Sequence, residues 1–467
     1  MATIDNTSIY QDIIEIASQP ALDTHYRYEV EFWIGDEKIK AIKVISLDRV
    51  RNYSQDHSDV IMLRVAVGLG TYTHRLYPFK QSLSVKLYQK EVLPAGGGKD
   101  LDSVPIVSED YEAILVDAVS PSLVNGTQAA DDEETGDRSD IVTLDVQLIE
   151  KVANVQRGVE VGGVFRNTTV QKVIKLLFSA EVDVDKPPIL PFISQEYIDD
   201  QIREAVVGCD IVDCDNTTVY DHIVIPHGTR LVDVPLYLQR VYGVYNSGIG
   251  YYYQHGIWFV YPLFNPMRFN DETNHLIIAN VAANRMPGIE KSYRIEEPIF
   301  YGKTFIIATG DVVHQDTTET LQLNQGNGYV MGRTSGMLDR FSDATANVVT
   351  VKGDDTTLEG LVESRSGHNF IRTAKEHISD NTYLQNSRLA KQVGALVQLR
   401  WDNSKAKVLY PGMPLRLLYI KGGEVVSLNG CVFQVEEQSS VVESSPSEHR
   451  HARNAAITIF VQRDKLD

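Results

Sequence analysis

Apolar and polar residues alternate along the first quarter of the chain with the two-residue period of half-buried strands. Tyr26, Tyr28, Val30 and Phe32 are interleaved with Arg27, Glu29 and Glu31; Ile61, Leu63, Val65 and Val67 repeat the pattern, and so do Leu83, Val85 and Leu87 about Ser84 and Lys86. Gly35-Asp36 turns the first run and Gly68-Leu69-Gly70 ends the second. The pattern predicts an antiparallel barrel or sandwich of long strands within residues 1–95, after a short helix at Ser8–Ala17. Strand character returns at Tyr111–Ala118 and Asp140–Leu148.

The spacing then changes to that of helices. Val170, Val173, Ile174, Leu177 and Phe178 form an i, i+3, i+4, i+7, i+8 stripe, and Thr168 with Gln171 has the spacing of a capping box. A second helix is expected where Asp233 can cap free amides, Pro235 suits the first turn, and Val234, Leu238, Val241 and Tyr245 recur until Gly243 loosens the end. Leu238 and Val241 should pack on the strands that follow, around Trp258 and Tyr261, which are aromatic on both phases. Further strands are expected at His275–Val281, Thr304–Thr309, Ala395–Trp401, Tyr410–Ile420, Asn429–Val435 and Ala456–Val461, with Asn-Gly and Pro-Gly turns. Ser439–Arg453 reads as a Ser, Glu and His-rich loop between the last two.

Polar, Gly-rich or Pro-rich stretches at Pro94–Asp100, Asn125–Asp137, Asp183–Pro191 and 311–360 separate these runs. With 467 residues the chain exceeds one ordinary core. The fold class expected is mainly β with short helices (α+β), multidomain: two tube-like antiparallel β-barrel domains, an intervening domain and a small C-terminal β domain. The divisions fall at residues 1–95, 96–220 (α+β, with the acidic loop), 221–380 and 381–467.

A formal net charge of −19 argues against stable nucleic-acid binding, which depends on Lys and Arg displacing counterions from phosphates. Cys209, Cys214 and Cys431 are too few and too scattered for a disulfide framework, which fits synthesis in a reducing cytoplasm. The start, Met1–Thr7, lacks the basic and apolar regions of a signal peptide, and no run approaches the roughly 18 apolar residues of a membrane helix. A soluble chain without stable membrane insertion is expected.

Candidate chemistry is sparse. Cys209, Cys214, His222 and His227 have metal-ligating side chains, but the first spacing is looser than a zinc knuckle, and separate core and surface roles are expected. Asp210, Asp213 and Asp215 lack the central glycine and closing glutamate of an EF-hand loop. Gly326–Gly336 has no Gly-Lys-Ser/Thr ending, and nucleophile-elbow, His-Glu-x-x-His and Cys-x-x-Cys patterns do not occur. No catalytic, cofactor-binding or metal residue is assigned, no cofactor is implied, and the chain is not read as an enzyme.

Several segments, in order, resemble the central baseplate hub proteins of contractile-tailed bacteriophages and the related hub part of type VI secretion spike proteins. Leu76-Tyr-Pro-Phe79 and Leu83-Ser-Val-Lys-Leu87 look like the first tube domain, and Val161-Gly-Gly-Val-Phe-Arg-Asn-Thr-Thr-Val170 with its helix like the intervening domain. Ile223–Tyr261 looks like the second tube domain, and Trp401-Asp-Asn-Ser404 with Leu409-Tyr-Pro-Gly-Met-Pro414 like the closing part. The resemblance implies a homotrimeric symmetry adaptor that joins a hexameric tail tube to a three-fold central spike and leaves a channel for DNA, which passes as cargo. It implies as partners the tail tube or tube-initiator protein, the spike, peripheral baseplate proteins and the tape measure protein. The implied location is the tail baseplate of a virion assembled in a bacterial host cytoplasm. No β-helical needle like that of secretion spikes is present, so the spike would be a separate protein. Another β-rich baseplate or wedge adaptor, and a wall-degrading tail enzyme, are the alternatives.

Overall fold

The computed structural model describes residues 25–92, 107–116, 122–123, 141–178, 208–270, 275–281, 293–296, 303–309, 348–352, 357–365, 368–372, 382–405, 407–421, 424–444 and 449–462. The helix expected at Ser8–Ala17, the stretches at 94–100, 125–137 and 183–191, and most of 311–360 lie outside them. The chain is mainly β with short helices, and its apolar residues separate into distinct cores.

Six N-terminal strands follow the alternation in the sequence: β1 (His25–Ile34), β2 (Lys43–Asn52), β3 (Val60–Gly68), β4 (Leu83–Val92), β5 (Val107–Leu115) and β6 (Ile141–Glu150). Tyr26, Tyr28, Val30 and Phe32, Ile61 to Val67 at alternate positions, and Leu83, Val85 and Leu87 all point into one core. They pair antiparallel in the order β2-β3-β6-β5-β4-β1.

The middle of the chain folds separately. Glu150 caps α1 (Lys151–Gly158), which leads into β7 (Glu160–Thr168) and α2 (Val170–Phe178). Then come β8 (Gly208–Ile211), β9 (Tyr220–Arg230), α3 (Val234–Val241) and the hairpin β10 (Ile249–Gln254) and β11 (Ile257–Pro262). Thr168 is still paired with Tyr220, so the cap of α2 falls to Thr169, whose Oγ1 accepts from the Lys172 amide at 3.4 Å. The expected capping box does not form, because the Gln171 amide turns to Asp213 and to the Cys214 backbone. Asp233 likewise makes no cap: its carboxylate accepts from Arg230 Nε at 2.7 Å, and a 3-10 turn at Leu231–Asp233 leads into α3 instead. Gly243, at φ +79°, closes α3 by donating to the Leu238 carbonyl.

Leu238 is buried beside Trp258 and Tyr253 as expected, but Val241 faces outward, 49% exposed, and Tyr261 belongs to a different core. The reason is the two-sided hairpin. Tyr253, Trp258 and Val260 enter the middle core, whereas Tyr252 and Tyr261 enter the C-terminal one, so both strand phases are aromatic.

The C-terminal part contains β12 (His275–Asn280), β13 (Lys303–Ala308), α4 (Thr382–Val393), β14 (Gly394–Trp401), β15 (Pro414–Lys421), β16 (Glu424–Ser444) and β17 (His449–Gln462). β12 lies between β13 and β15 and is parallel to both. The loop expected at Ser439–Arg453 is largely strand. Its polar residues alternate in the same register, and Ser439, His451 and Arg453 point into the protein where they find polar partners.

The long hairpin β16–β17 is shared by two strand circuits of one continuous sheet. Residues 434–440 of β16 pair with β2 and His451 of β17 faces Tyr26 of β1, so the pairings run in a ring of eight strands, β16-β2-β3-β6-β5-β4-β1-β17. The other half of the hairpin pairs with β15 and β14, and a bridge between Thr309 and Arg400 links the end of β13 to β14 in a second circuit. A separate three-stranded sheet comprises Val348–Lys352, Thr357–Arg365 and His368–Arg372. Among the described residues no helix is long and apolar enough to cross a membrane.

Candidate functional site

Alternation inside the ring is apolar at one end and ionic at the other. On β2 the inward positions run Leu47, Arg49, Arg51, and opposite them on antiparallel β16 stand Ser439, Glu437 and Val435, the last of which belongs to the C-terminal core. Arg49 donates to Glu109 and to the Tyr111 hydroxyl, both at 3.0 Å, and Tyr111 donates to Glu109 at 2.6 Å. Arg51 bridges Asp59 and Glu437 at 3.0 Å each, and Arg453 from β17 closes on the same Oε1 of Glu437. Arg49 Nε also lies 3.5 Å from Asp59, so one connected network ties β2, β5, β16 and β17.

Burial alone would raise the Glu437 carboxyl, but Arg453, Arg51 and Arg49 outweigh it and hold the group at about 2. Burial opposes ionisation of Glu109 too, and Arg49, Tyr111 and Lys407 pull it well below the carboxylate range. Each carboxylate is committed to cations, which suits a joint rather than a proton-transfer site. Removing one partner from such a cluster leaves an uncompensated buried charge.

The same end of the ring meets the middle lobe. Tyr252 donates to Asp59 at 3.1 Å and the Tyr253 amide to the His57 carbonyl at 2.8 Å. Between these contacts lies a cleft of about 600 Å³, lined by Asp59, Glu109, Glu150, Tyr253, His255 and Lys407 among others. Burial pushes Glu150 up to about 7, partly offset by the Ala153 amide, with the charges of Asp59 and Glu109 adding to the rise. Burial and then Arg51 bring His255 down to about 4.

The opposite end of the ring is a rim of exposed apolar side chains. β3 ends there at Gly68, opposite Ile141, and the chain crosses that end through helical turns from Leu69 to Phe79 before β4 begins. Leu76 plugs the core while Tyr77 and Phe79 face outward. Ile42, whose amide donates to the Ala66 carbonyl, lies at the same end of β3; Ile42, Tyr77, Phe79, Val116 and Ile141 are 41–56% exposed.

The structure does not bring the four metal-type residues together. Cys209 and Cys214 sit in or against the middle core with thiols pushed up by burial to about 12, whereas His222 and His227 are exposed on β9. Asp210, Asp213 and Asp215 are exposed, the last accepting from the Asn246 amide at 2.7 Å. Among the described residues no group of three or more His, Cys, Asp and Glu side chains is placed to hold a metal ion. Gly326–Gly336 lies outside the described residues. The buried ionic joint was missed in the sequence, where Arg49, Arg51 and Arg453 look like surface positions of strands; only their phase with Leu47 and Ile457 marks them as inward.

A family model described as Bacteriophage PBS1 gene 109 protein matches residues 103–297. No curated protein matches the chain. Among solved structures, the chain is similar to the tail protein from Neisseria meningitidis MC58 at 9% identity and a TM-score of 0.40, over 94% of this chain and 97% of that one. It is similar to the 43 kDa tail protein of prophage MuSo2 from Shewanella oneidensis at 9% identity and a TM-score of 0.42, over 92% and 97%. A third is the E. coli c3393 protein, a component of the type VI secretion system, at 8% identity and a TM-score of 0.35, over 93% and 77%.

Proposed function

We propose that this chain is the structural hub of a contractile phage tail baseplate, a homotrimer that adapts a six-fold tail tube to a three-fold central spike around a channel for DNA. The observation that carries this reading is the pair of strand circuits joined by the single hairpin β16–β17. Two tube-like units per subunit would give six around a three-fold axis, which is what a six-to-three adaptor requires. The ordered resemblance of Leu76–Phe79, Val161–Val170, Ile223–Tyr261 and Leu409–Pro414 to hub proteins supports the same role, and the family match over residues 103–297 is to a bacteriophage protein.

In this reading the ionic joint fixes the C-terminal hairpin in the first unit, and the apolar rim at Ile42, Tyr77, Phe79 and Ile141 receives a ring-shaped partner, the tail tube or its initiator. The spike attaches elsewhere on the trimer, and peripheral baseplate proteins and the tape measure protein complete the contacts. The protein is structural and not an enzyme; it acts in the virion tail after synthesis in the host cytoplasm. The net charge of −19 keeps passing DNA from adhering. The test is a Tyr77→Asp, Phe79→Asp double variant. It should keep its melting behaviour and its own oligomeric state but lose attachment to isolated tail tubes of the same virion. Undiminished attachment would remove the rim from the account.

A further inference from the structure

His451 lies on the seam of the eight-stranded ring. β1 and β17 meet there through the single register pair Tyr26–His451, whereas β1 and β4 pair continuously from His25–Val92 to Trp33–Ser84. The imidazole is 0% exposed and edge-on to the Tyr28 ring, with centroids 5.1 Å apart. Its Nδ1 is 3.3 Å from the Tyr26 carbonyl oxygen on β1, and its Nε2 is 3.1 Å from the Val44 carbonyl oxygen on β2. A neutral imidazole has one N–H, so one contact is a hydrogen bond and the other sets a lone pair against a carbonyl oxygen.

Only the imidazolium would satisfy both carbonyls, and the surrounding charges oppose it. Lys43 precedes Val44 on β2, and His449 and Arg453 flank the ring on β17. On β1 Arg27 lies near His449, and Tyr28 is hydrogen-bonded to Ser439 of β16. The carboxylate on that side, Glu437 of β16, is engaged by Arg51 and Arg453.

We propose that His451 is an acid-operated latch: neutral, it holds β17 against β1 and β2 and closes the ring, and its protonation favours release of the β1–β17 seam. Burial lowers the affinity of the closed seam for a proton, the two carbonyls restore part of it, and His449 and Lys43 lower it again. In the released seam the ring would titrate in the ordinary range, near 6.5. The open form therefore takes the proton more readily, and each pH unit below about 6.5 favours opening by up to about tenfold until the closed-state pKa is reached.

Amide hydrogen exchange on the full chain, corrected for the intrinsic pH dependence of exchange, tests this between pH 7.5 and 5. In the native protein the opening of residues 25–30 and 449–453 should rise by up to about tenfold per pH unit below about 6.5, while β3 and β6 stay protected. His451→Gln, which can still donate but does not titrate, should abolish the slope, and His449→Gln should keep it. A flat profile in the native protein, or a slope that survives in His451→Gln, overturns the proposal. If His451→Gln does not fold, NMR titration of the His451 ring in the native chain decides: a midpoint below 6.5 supports the latch, and one at or above 6.5 overturns it.

Discussion

Glu150→Gln isolates the electrostatics of the junction between the ring and the middle lobe. Glu150 ends β6, accepts the Ala153 amide at 3.2 Å and faces the cleft that also holds Asp59 and Glu109. Its folded pKa of about 7 lies above the ordinary carboxyl value of 4.5. The folded state thus holds this proton more tightly than the unfolded state, and the resulting stability is fully present below pH 4.5 and lost as pH rises through 7. The gap corresponds to up to roughly 3 kcal/mol. Glutamine keeps an acceptor for the Ala153 amide and never ionises. Urea unfolding from pH 4 to 8.5, followed through the fluorescence of Trp33, Trp258 and Trp401, should show the variant gaining on the native protein as pH rises. The difference should approach roughly 3 kcal/mol at pH 8.5 and vanish near pH 4. A difference independent of pH, or a variant weaker than the native chain at pH 8.5, would refute the reasoning.

Glu437→Ala should cost about 3–5 kcal/mol, because it takes from Arg453 its buried carboxylate and leaves Arg51 only Asp59; equilibrium denaturation measures it, and a loss under 1 kcal/mol would mean the network relaxes into water. Leu238→Ala should destabilise the middle lobe by about 2–5 kcal/mol, whereas Val241→Asp on the outer face of α3 should change thermal stability by less than about 0.5 kcal/mol; the reverse order would place the helix in another register. Ile174→Ala should cost more than Leu177→Ala in the same unfolding assay, since Ile174 is 0% exposed and Leu177 only packs at the margin of that core.

The strands of the ring were legible because a two-residue period with one buried face is a local signal: Tyr26 to Phe32 and Ile61 to Val67 fall inward as spaced. Helix α2 was legible for the same reason at its own period, with four of its stripe residues buried and Leu177 half-covered. Caps were misjudged by what competes for the side chain. Arg230 takes the Asp233 carboxylate, and Thr168 stays in its strand. The largest omission was the reach of β16 and β17. Their polar halves looked like a loop because inward Ser439 and His451 find their partners, Tyr28 and Val44, several hundred positions earlier in the chain, and Arg453 pairs with Glu437, which is itself bridged to the distant Arg51. The parallel placing of β12 between β13 and β15 also depends on long-range pairing that no local period encodes.

The most direct test of the hub reading is a two-dimensional image average of the purified oligomer, recorded with and without the spike protein so that a contact supplied by the spike is not missed. The account predicts a three-fold particle of three chains, about 157 kDa from a 52.3 kDa subunit, with six similar lobes around a central hole. A stable monomer under both conditions, or a closed six-fold ring of this chain alone, would contradict it.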